Sequence, residues 1–324
     1  MSRPLASVIL LTYNQEDLVE ESLRSLLEQT YSPLEIIISD DLSSDATREK
    51  ILNLTSQYSG PHLIKLNFNS HNLGLCENIN QAIKKCDGEF IFAAAGDDVS
   101  LPSRCEVVMD EWLKHDKKPG LIATDAFDMT LEGEILGIKR TSMLQTYLGI
   151  KDWTKKPPYF FGSSHSWSKK FLDKFPPLNK QLFAEDHLMI FRAIITDGAH
   201  TVSNPLVKHR RGGITKKKYM GLKEKINKLR AGFPDKYTLL QQMLADANNL
   251  EDLPLLQKHF KKELNECELA LDLFNTKEAH LKFMRCCKFD GVSFFFKIRL
   301  LTYTTFPNIL KPIFWLKKLK KKYR

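Results

Sequence analysis

Two adjacent carboxylates, Asp97 and Asp98, follow the run Phe90–Ala95, six apolar or small residues, and the intervening Gly96. Carboxylates beside a buried strand are costly unless a cation compensates them. A hard divalent ion is the natural partner: Mg²⁺ or Mn²⁺ takes oxygen ligands and is commonly held by one or two carboxylates together with substrate phosphates. The chemistry this suggests is metal-assisted departure of a diphosphate. Gly96 is expected to let the backbone turn sharply just before the pair. A helix N-cap role for Asp97 or Asp98, with Pro102 nearby, is the competing reading.

A second acidic pair, Glu185–Asp186, opens a predicted helix whose apolar stripe is Leu188, Phe191, Ala193 and Ile194 or Ile195, with Phe183 just before it. An acid at a helix start can be a dipole partner. It can equally be a general base for a hydroxyl within hydrogen-bond reach. Downstream, the segment Val207 to Gly213 gathers Lys208, His209, Arg210 and Arg211 before two glycines. Arginines and backbone amides together suit phosphate, whereas a solvated basic turn is the plain alternative. His209 is open as a metal ligand, a phosphate donor or a bystander.

These groups need a scaffold, and the apolar pattern supplies one. The run Ala6–Tyr13 has no helical period and reads as a strand buried on both faces. Asn14 is placed to cap a following helix with the stripe Leu18, Ser22, Leu23, Leu26 and Leu27, and Leu34–Ser39 reads as a second strand. Helix 45–58, strand 63–68, helix 75–86, strand 89–95 and strand 121–126 continue the alternation, which predicts a mostly parallel, doubly wound α/β sheet. In such sheets ligands bind beyond the carboxyl ends of the strands. Polar groups stand at four of those ends: Thr12, Tyr13 and Asn14; Asp40, Asp41 and Ser43; Asn69, Asn72 and Gly74; Gly96, Asp97 and Asp98. Singly each is ordinary turn chemistry; together they describe a site. From 127 to about 215 the alternation is lost, and from 216 onward helices are expected at 219–230, 236–247, 253–274 and 277–287.

The chain has 324 residues, 43% of them hydrophobic, enough for a large α/β domain with an appendage. Of its 48 basic residues nine lie from Gly291 to Arg324, where there is no acid; the remaining 39 balance the 39 acids. The excess is therefore not a nucleic-acid footprint spread over a groove, and no nucleic-acid partner is expected. Mixed with Phe294, Phe295, Phe296, Phe306, Phe314 and Trp315, this charge suits an anionic membrane surface, or else a helix packed on the protein by its aromatic face. Six cysteines without C-x-x-C spacing, an opening Met-Ser-Arg-Pro and no apolar run near 20 residues lead to the expectation of a cytoplasmic protein, peripheral at the inner face of the cell membrane. A dinucleotide oxidoreductase would need G-x-G-x-x-G after the first strand, and the segment from Thr12 to Asp17 has no glycine.

In order and spacing, the pieces 7–14, 38–47, 72–74, 96–98 and 185–186 resemble the family 2 glycosyltransferases of the GT-A fold, over about residues 5 to 213. The resemblance implies a GT-A catalytic domain at 1–215, its nucleotide-binding half at 1–126 and acceptor-binding half at 127–215, with a helical region and basic-aromatic tail at 216–324. It implies that Thr12, Tyr13, Asn14, Asp40, Asp41, Asn72 and Gly74 serve the donor nucleotide. It makes Asp98 the metal ligand, Asp97 its support near the ribose or metal, Asp186 the catalytic base with Glu185 beside it, and Arg210 or Arg211 a diphosphate contact. The implied reaction is inverting transfer from a nucleotide-sugar, UDP-sugar favoured, with Mn²⁺ or Mg²⁺, to a saccharide or lipid-linked saccharide, as in bacterial surface polysaccharide assembly. Two departures stand out: Gly96 where the family often has an acid, and Glu77 where it often has arginine. Among Trp153, Tyr159, Phe160, Phe161 and Trp167 of the acceptor half, most are expected to be core and some to stack on a sugar face. A nucleotide-sugar-binding protein without catalysis is the alternative.

Overall fold

The computed structural model describes residues 3–182, 185–211, 221–312 and 314. The chain divides into two compact units, Met1–Lys216 and Lys217–Arg324.

The first unit is built on one nine-stranded sheet. Strand β1 (Ala6–Thr12) lies parallel between β2 (Leu34–Asp40) and β4 (Phe90–Ala95), and β3 (Leu63–Phe68) continues the parallel edge beyond β2. β1 and β2 are buried on both faces, which is why their sequences are aliphatic without alternation. Helices α1 (Val19–Leu27), α2 (Thr47–Ser56) and α3 (Leu75–Ile83) form the crossovers. The core joins Val8, Leu10, Ile36, Ile38 and Phe92 of the sheet to Leu23 and Leu26 of α1.

Beyond β4 the sheet becomes mixed. The two-residue strand β5 (Val99–Ser100) leads to α4 (Arg104–Lys114), then β6 (Leu121–Met129) and its hairpin partner β7 (Ile135–Lys139). The short helix α5 (Ile150–Lys155) precedes β8 (His165–Ser168), which runs antiparallel between β4 and β6. Helices α6 (Lys169–Leu172) and α7 (Glu185–Ile194) lead into β9 (Ala199–Arg210), parallel to β6 and antiparallel to β5. The 127–215 stretch is thus richer in strands than its pattern suggests. Strand β9 hides because it carries Pro205 and polar residues; the register with β6 jumps between Thr124↔Val202 and Asp125↔Pro205, so the proline sits at a bulge where no ladder amide is needed.

Two local expectations are corrected. Asn14 does not cap α1: the residue preceding that helix is Leu18, with no side-chain cap, and Asn14 itself adopts φ 50° and turns toward the β2 loop. The second unit has a single helix α8 (Leu222–Asp246) running through Pro234, where a break between 230 and 236 was expected. Proline there removes one helical amide, but Phe233 beside it packs with Phe274 and Phe296, at ring separations of 6.4 and 6.0 Å, which offsets the loss. Helices α9 (Leu253–Asn275), α10 (Ala279–Lys288) and α11 (Phe294–Thr305) complete this unit around Leu269, Leu273, Cys286, Phe296 and Leu300. The expected helix start at Tyr219, together with Phe183, Gly212, Gly213, Trp315 and the lysines after it, lies outside the described residues.

Candidate active site

The ends of β1 and β2 and the loop after β3 form one bonded set. Asp40 accepts the Thr12 hydroxyl at 2.9 Å and the Ser43 hydroxyl and amide at 2.5 and 2.9 Å. Asp41 accepts the amides of Leu73 and Gly74, both at 2.8 Å, and Asn69 Nδ2 at 2.9 Å, while its own carbonyl takes Asn72 Nδ2 at 3.2 Å. Gly74 adopts φ 78°, which only glycine enters without strain, and this lets consecutive amides converge on Asp41. A carboxylate offers about four acceptor directions, so each acid has one left for a ligand. Thr12, Asp40 and Asp41 are buried, and Tyr13, 41% accessible, Asn14, Leu42 and Asn72 are exposed at this edge. Asn14 (φ 50°) and Leu42 (φ 62°) hold left-handed backbone at the two neighbouring strand ends, a strain typical of binding loops.

Asp97 and Asp98 stand at the end of β4. Neither caps α4, whose start is preceded by Ser103. Asp98 is buried and its Oδ1 accepts the Arg210 amide at 2.8 Å. Burial, and then the charge of Asp98, push the Asp97 carboxyl up to about 6. Two neighbouring acids whose charge the protein leaves under-compensated fit a divalent cation. Gly96 opens the turn that follows β4, as expected, and a Cβ there would lie 2.3 Å from Gln15 Oε1 and 3.0 Å from Thr12 Cγ2. A side chain at this position would have to displace the end of Gln15, which fills the space beside it.

Arg210, Arg211 and His209 each engage a partner within the protein. Arg210 spends Nε on the Asp97 carbonyl (2.9 Å), Nη1 on that of Leu131 (2.7 Å) and Nη2 on Glu21, so it straps the strand ends together and is not displayed as a phosphate contact. Arg211 pairs through Nε and Nη2 with Asp128. His209 has Nδ1 occupied by Lys139 Nζ at 2.9 Å. Among the described residues it does not join Asp97 and Asp98 in a three-ligand group, so a cation there would rest on the aspartates.

The second pair reaches the same edge through β8. Phe92 pairs with Ser166 in antiparallel register, so the turn Gly162–Ser164 emerges at the carboxyl end of β4. A Cβ on Gly162 would lie 3.4 Å from Asp186 Oδ2 and 3.6 Å from Glu185 Oε1, placing the acids against this turn. Asp186 Oδ1 accepts the His187 amide at 2.8 Å and faces His187 Nδ1 at 3.0 Å. Burial raises the Asp186 carboxyl, but the hydrogen bonds from the His187 ring and amide pull the other way, and the carboxyl lies below its ordinary value. Glu185 is driven well above, by burial and then by Asp186. The two shifts run in opposite directions: Glu185 is pushed toward its neutral form and Asp186 toward its ionised form.

Arg104 and His165 complete the framework and were not anticipated. Arg104 is buried; its Nη2 donates to the carbonyls of Ala93 (2.8 Å), Ser163 (2.9 Å) and His165 (3.3 Å) and its Nη1 to Ser100 Oγ (3.0 Å). It thereby ties β4 to the turn that abuts Asp186. Burial lowers it only to about 10, so it remains charged at neutral pH. The sequence held a signal: Arg104 lies on the stripe Cys105, Val108, Met109 and Trp112, where a surface cation does not belong. His165 is buried, pushed down to about 4 by burial, and neither ring nitrogen has a partner among the described residues. Of the aromatics in the acceptor half, Trp153, Phe160, Phe161 and Trp167 are buried and Tyr159 is exposed.

The model of the family described as "Glycosyl transferase family 2" matches residues 7–175, more than half of the chain. The chain belongs to glycosyl transferase family 2. WfgD of Escherichia coli, a UDP-Glc:alpha-D-GlcNAc-diphosphoundecaprenol beta-1,3-glucosyltransferase, is 34% identical over 111 residues, covering 34% of this chain and 42% of WfgD. The chain spans 34% to 42% of the length of three curated relatives it matches. Among solved structures, S. aureus TarS 1-349 in complex with UDP superposes with TM-score 0.53 at 17% identity, over 92% of this chain and 90% of TarS 1-349. The mannosyltransferase PcManGT of Pyrobaculum calidifontis, in complex with GDP-Man and Mn2+, gives 0.54 at 15% identity, over 96% and 88% of the two chains. At such identities the likeness establishes the GT-A fold. Asp97–Asp98 lie within the residues matched by the family model, and Glu185–Asp186, at the start of α7, lie just beyond them.

Proposed function

We propose that this chain is an inverting glycosyltransferase that moves a sugar from a nucleoside-diphosphate sugar to a saccharide or lipid-linked saccharide. The observation that carries the reading is the convergence of two acid pairs on one sheet edge: Asp97–Asp98 at the end of β4, and Glu185–Asp186 against the turn Gly162–Ser164 that emerges there.

Asp98, with Asp97 in support, would hold Mn²⁺ or Mg²⁺. When bound, such an ion neutralises the charge of the departing diphosphate as a Lewis acid. Tyr13 and Asn14 present the open surface for the donor base and ribose, and the free acceptor directions of Asp40 and Asp41 lie behind them. Asp186 accepts the proton of the acceptor hydroxyl as that oxygen bonds to the anomeric carbon and the bond from that carbon to the phosphate oxygen breaks. A UDP-sugar is the favoured donor, supported by the UDP named with TarS and the UDP-Glc in the name of WfgD.

The diphosphoundecaprenol in the name of WfgD favours an acceptor at a membrane, and the second unit offers a surface for it. Phe294 and Phe295 are 70% and 82% accessible at the start of α11, with Ile298, Phe306 and Ile309 also exposed and Lys297, Arg299 and Lys311 interleaved. Phe296 and Leu300 on the same helix are core, so the aromatic segment divides between packing and display. Among the described residues no helix is long and apolar enough to cross a membrane; the proposed association is peripheral, at the cytoplasmic face. Arg211 remains the candidate diphosphate contact if a ligand draws it from Asp128.

The test is thermal stabilisation of the full chain by nucleotide-sugars with Mn²⁺. A UDP-sugar is expected to raise the melting temperature in wild type and not in Asp98→Asn; equal stabilisation of both would remove Asp98 from the donor site. Separately, Phe294→Ser/Phe295→Ser should lose binding to anionic vesicles, and retained binding would sink the membrane reading.

A further inference from the structure

The edge of the sheet opposite the donor site carries a cluster that the proposed reaction does not use. Helix α4 ends there, and Glu111 and His115, one turn apart on it, face His200 near the start of β9. Glu111 Oε1 lies 3.0 Å from His115 Nε2 and 3.2 Å from His200 Nε2, and the two imidazole rings are 4.5 Å apart. The three ligand atoms all fall within 4.8 Å of one another.

We propose that Glu111, His115 and His200 form a binding site for a Zn²⁺-class transition metal. Two imidazoles and one carboxylate are a recurrent three-ligand set for zinc, with the fourth position left to water or another ligand. Bonds of about 2.0–2.2 Å at tetrahedral angles separate ligand atoms by roughly 3.3–3.6 Å. The two measured separations need only widen by a few tenths of an ångström to admit the ion. Glu111 also touches Lys114 Nζ at 3.3 Å, but that ammonium is 70% accessible and can move into solvent. The nitrogen content separates this site from the donor edge: two imidazoles favour Zn²⁺, Co²⁺ or Ni²⁺ over Mg²⁺, whereas Asp97–Asp98 offers oxygen alone.

There is room for a further ligand. His115 and His200 line a cavity of about 350 Å³ together with Gln145, Tyr147 and Asp197. The site would also fasten α4 to β9 at the edge opposite Arg104 and Arg210, which those same two elements carry at the donor edge.

Co²⁺ titration of the tag-free full chain, stripped of metal, tests the assignment. One equivalent should develop the strong visible absorption of four-coordinate Co²⁺, and Zn²⁺ but not excess Mg²⁺ should displace it. His115→Ala and His200→Ala should each weaken binding by about tenfold or more, Glu111→Gln should weaken it while preserving side-chain shape, and Asp98→Asn should leave the band intact. Absence of the band, its survival in the histidine variants and in Glu111→Gln, or its loss in Asp98→Asn would overturn the proposal.

Discussion

The amide of Arg210 donates to Asp98 Oδ1 at 2.8 Å across 112 positions of sequence, so the last residue of β9 fixes the acid that ends the β4 segment. The guanidinium of the same residue is committed to Asp97, Leu131 and Glu21. Arg210→Lys keeps the amide contact but replaces a planar fork with a point charge that cannot reach three acceptors at once. Stability should fall by about 2–4 kcal/mol, read from urea denaturation of the full chain. A change below about 0.5 kcal/mol would mean that the strap contributes little.

Asp97 gives the protein a pH dependence of definite sign. Its carboxyl is raised by burial and by Asp98 from about 4 to about 6. Between those values the folded state holds a proton that the unfolded chain has released. This contribution to stability is full below about pH 4 and is lost as pH rises through about 6. Asp97→Asn should flatten that part of the melting-temperature profile. Mn²⁺ must displace the proton, so its affinity should weaken below about pH 6. A Mn²⁺ affinity constant from pH 5 to 8 would show that Asp97 takes no part.

Leu42 holds φ 62° with its side chain 45% accessible. Left-handed backbone costs a branched L-residue about 1–2 kcal/mol, and glycine returns about 0.5–1 kcal/mol of that through its freer unfolded chain. Leu42→Gly should therefore be neutral to slightly stabilising in thermal denaturation. A loss of more than about 1 kcal/mol would mean that the Leu42 side chain makes contacts that outweigh the strain.

The parallel half of the sheet was legible because strands β1, β2 and β4 are buried on both faces and write continuous apolar runs, and because glycines and acids mark where they end. Asp97–Asp98 and Glu185–Asp186 were visible for the same reason: paired charges interrupt apolar pattern. The far half was not, since β9 contains Pro205 at a bulge and β8 is four residues long, too short to show a period. Arg210 was readable as a cation but not as an inward one, because two of its three acceptors are the carbonyls of Asp97 and Leu131, which leave no trace in residue type, and the third, Glu21, lies 189 positions away. Gly96 shows the same limit: the side chain that crowds it is Gln15, 81 positions earlier and brought close only by the fold.

The division of charge within Glu185–Asp186 is the centre of the catalytic account, and one comparison of rates addresses it. Nucleoside diphosphate release from the preferred nucleotide-sugar at pH 7 would be measured for wild type, Asp186→Asn and Glu185→Gln. Asp186→Asn removes the ionised base and should lower the rate by about 10²–10⁴-fold. Burial and Asp186 push the Glu185 carboxyl toward its neutral form, so its neutral amide replacement should stay within about tenfold of wild type. The reverse order, with Glu185→Gln inactive and Asp186→Asn active, would contradict the account.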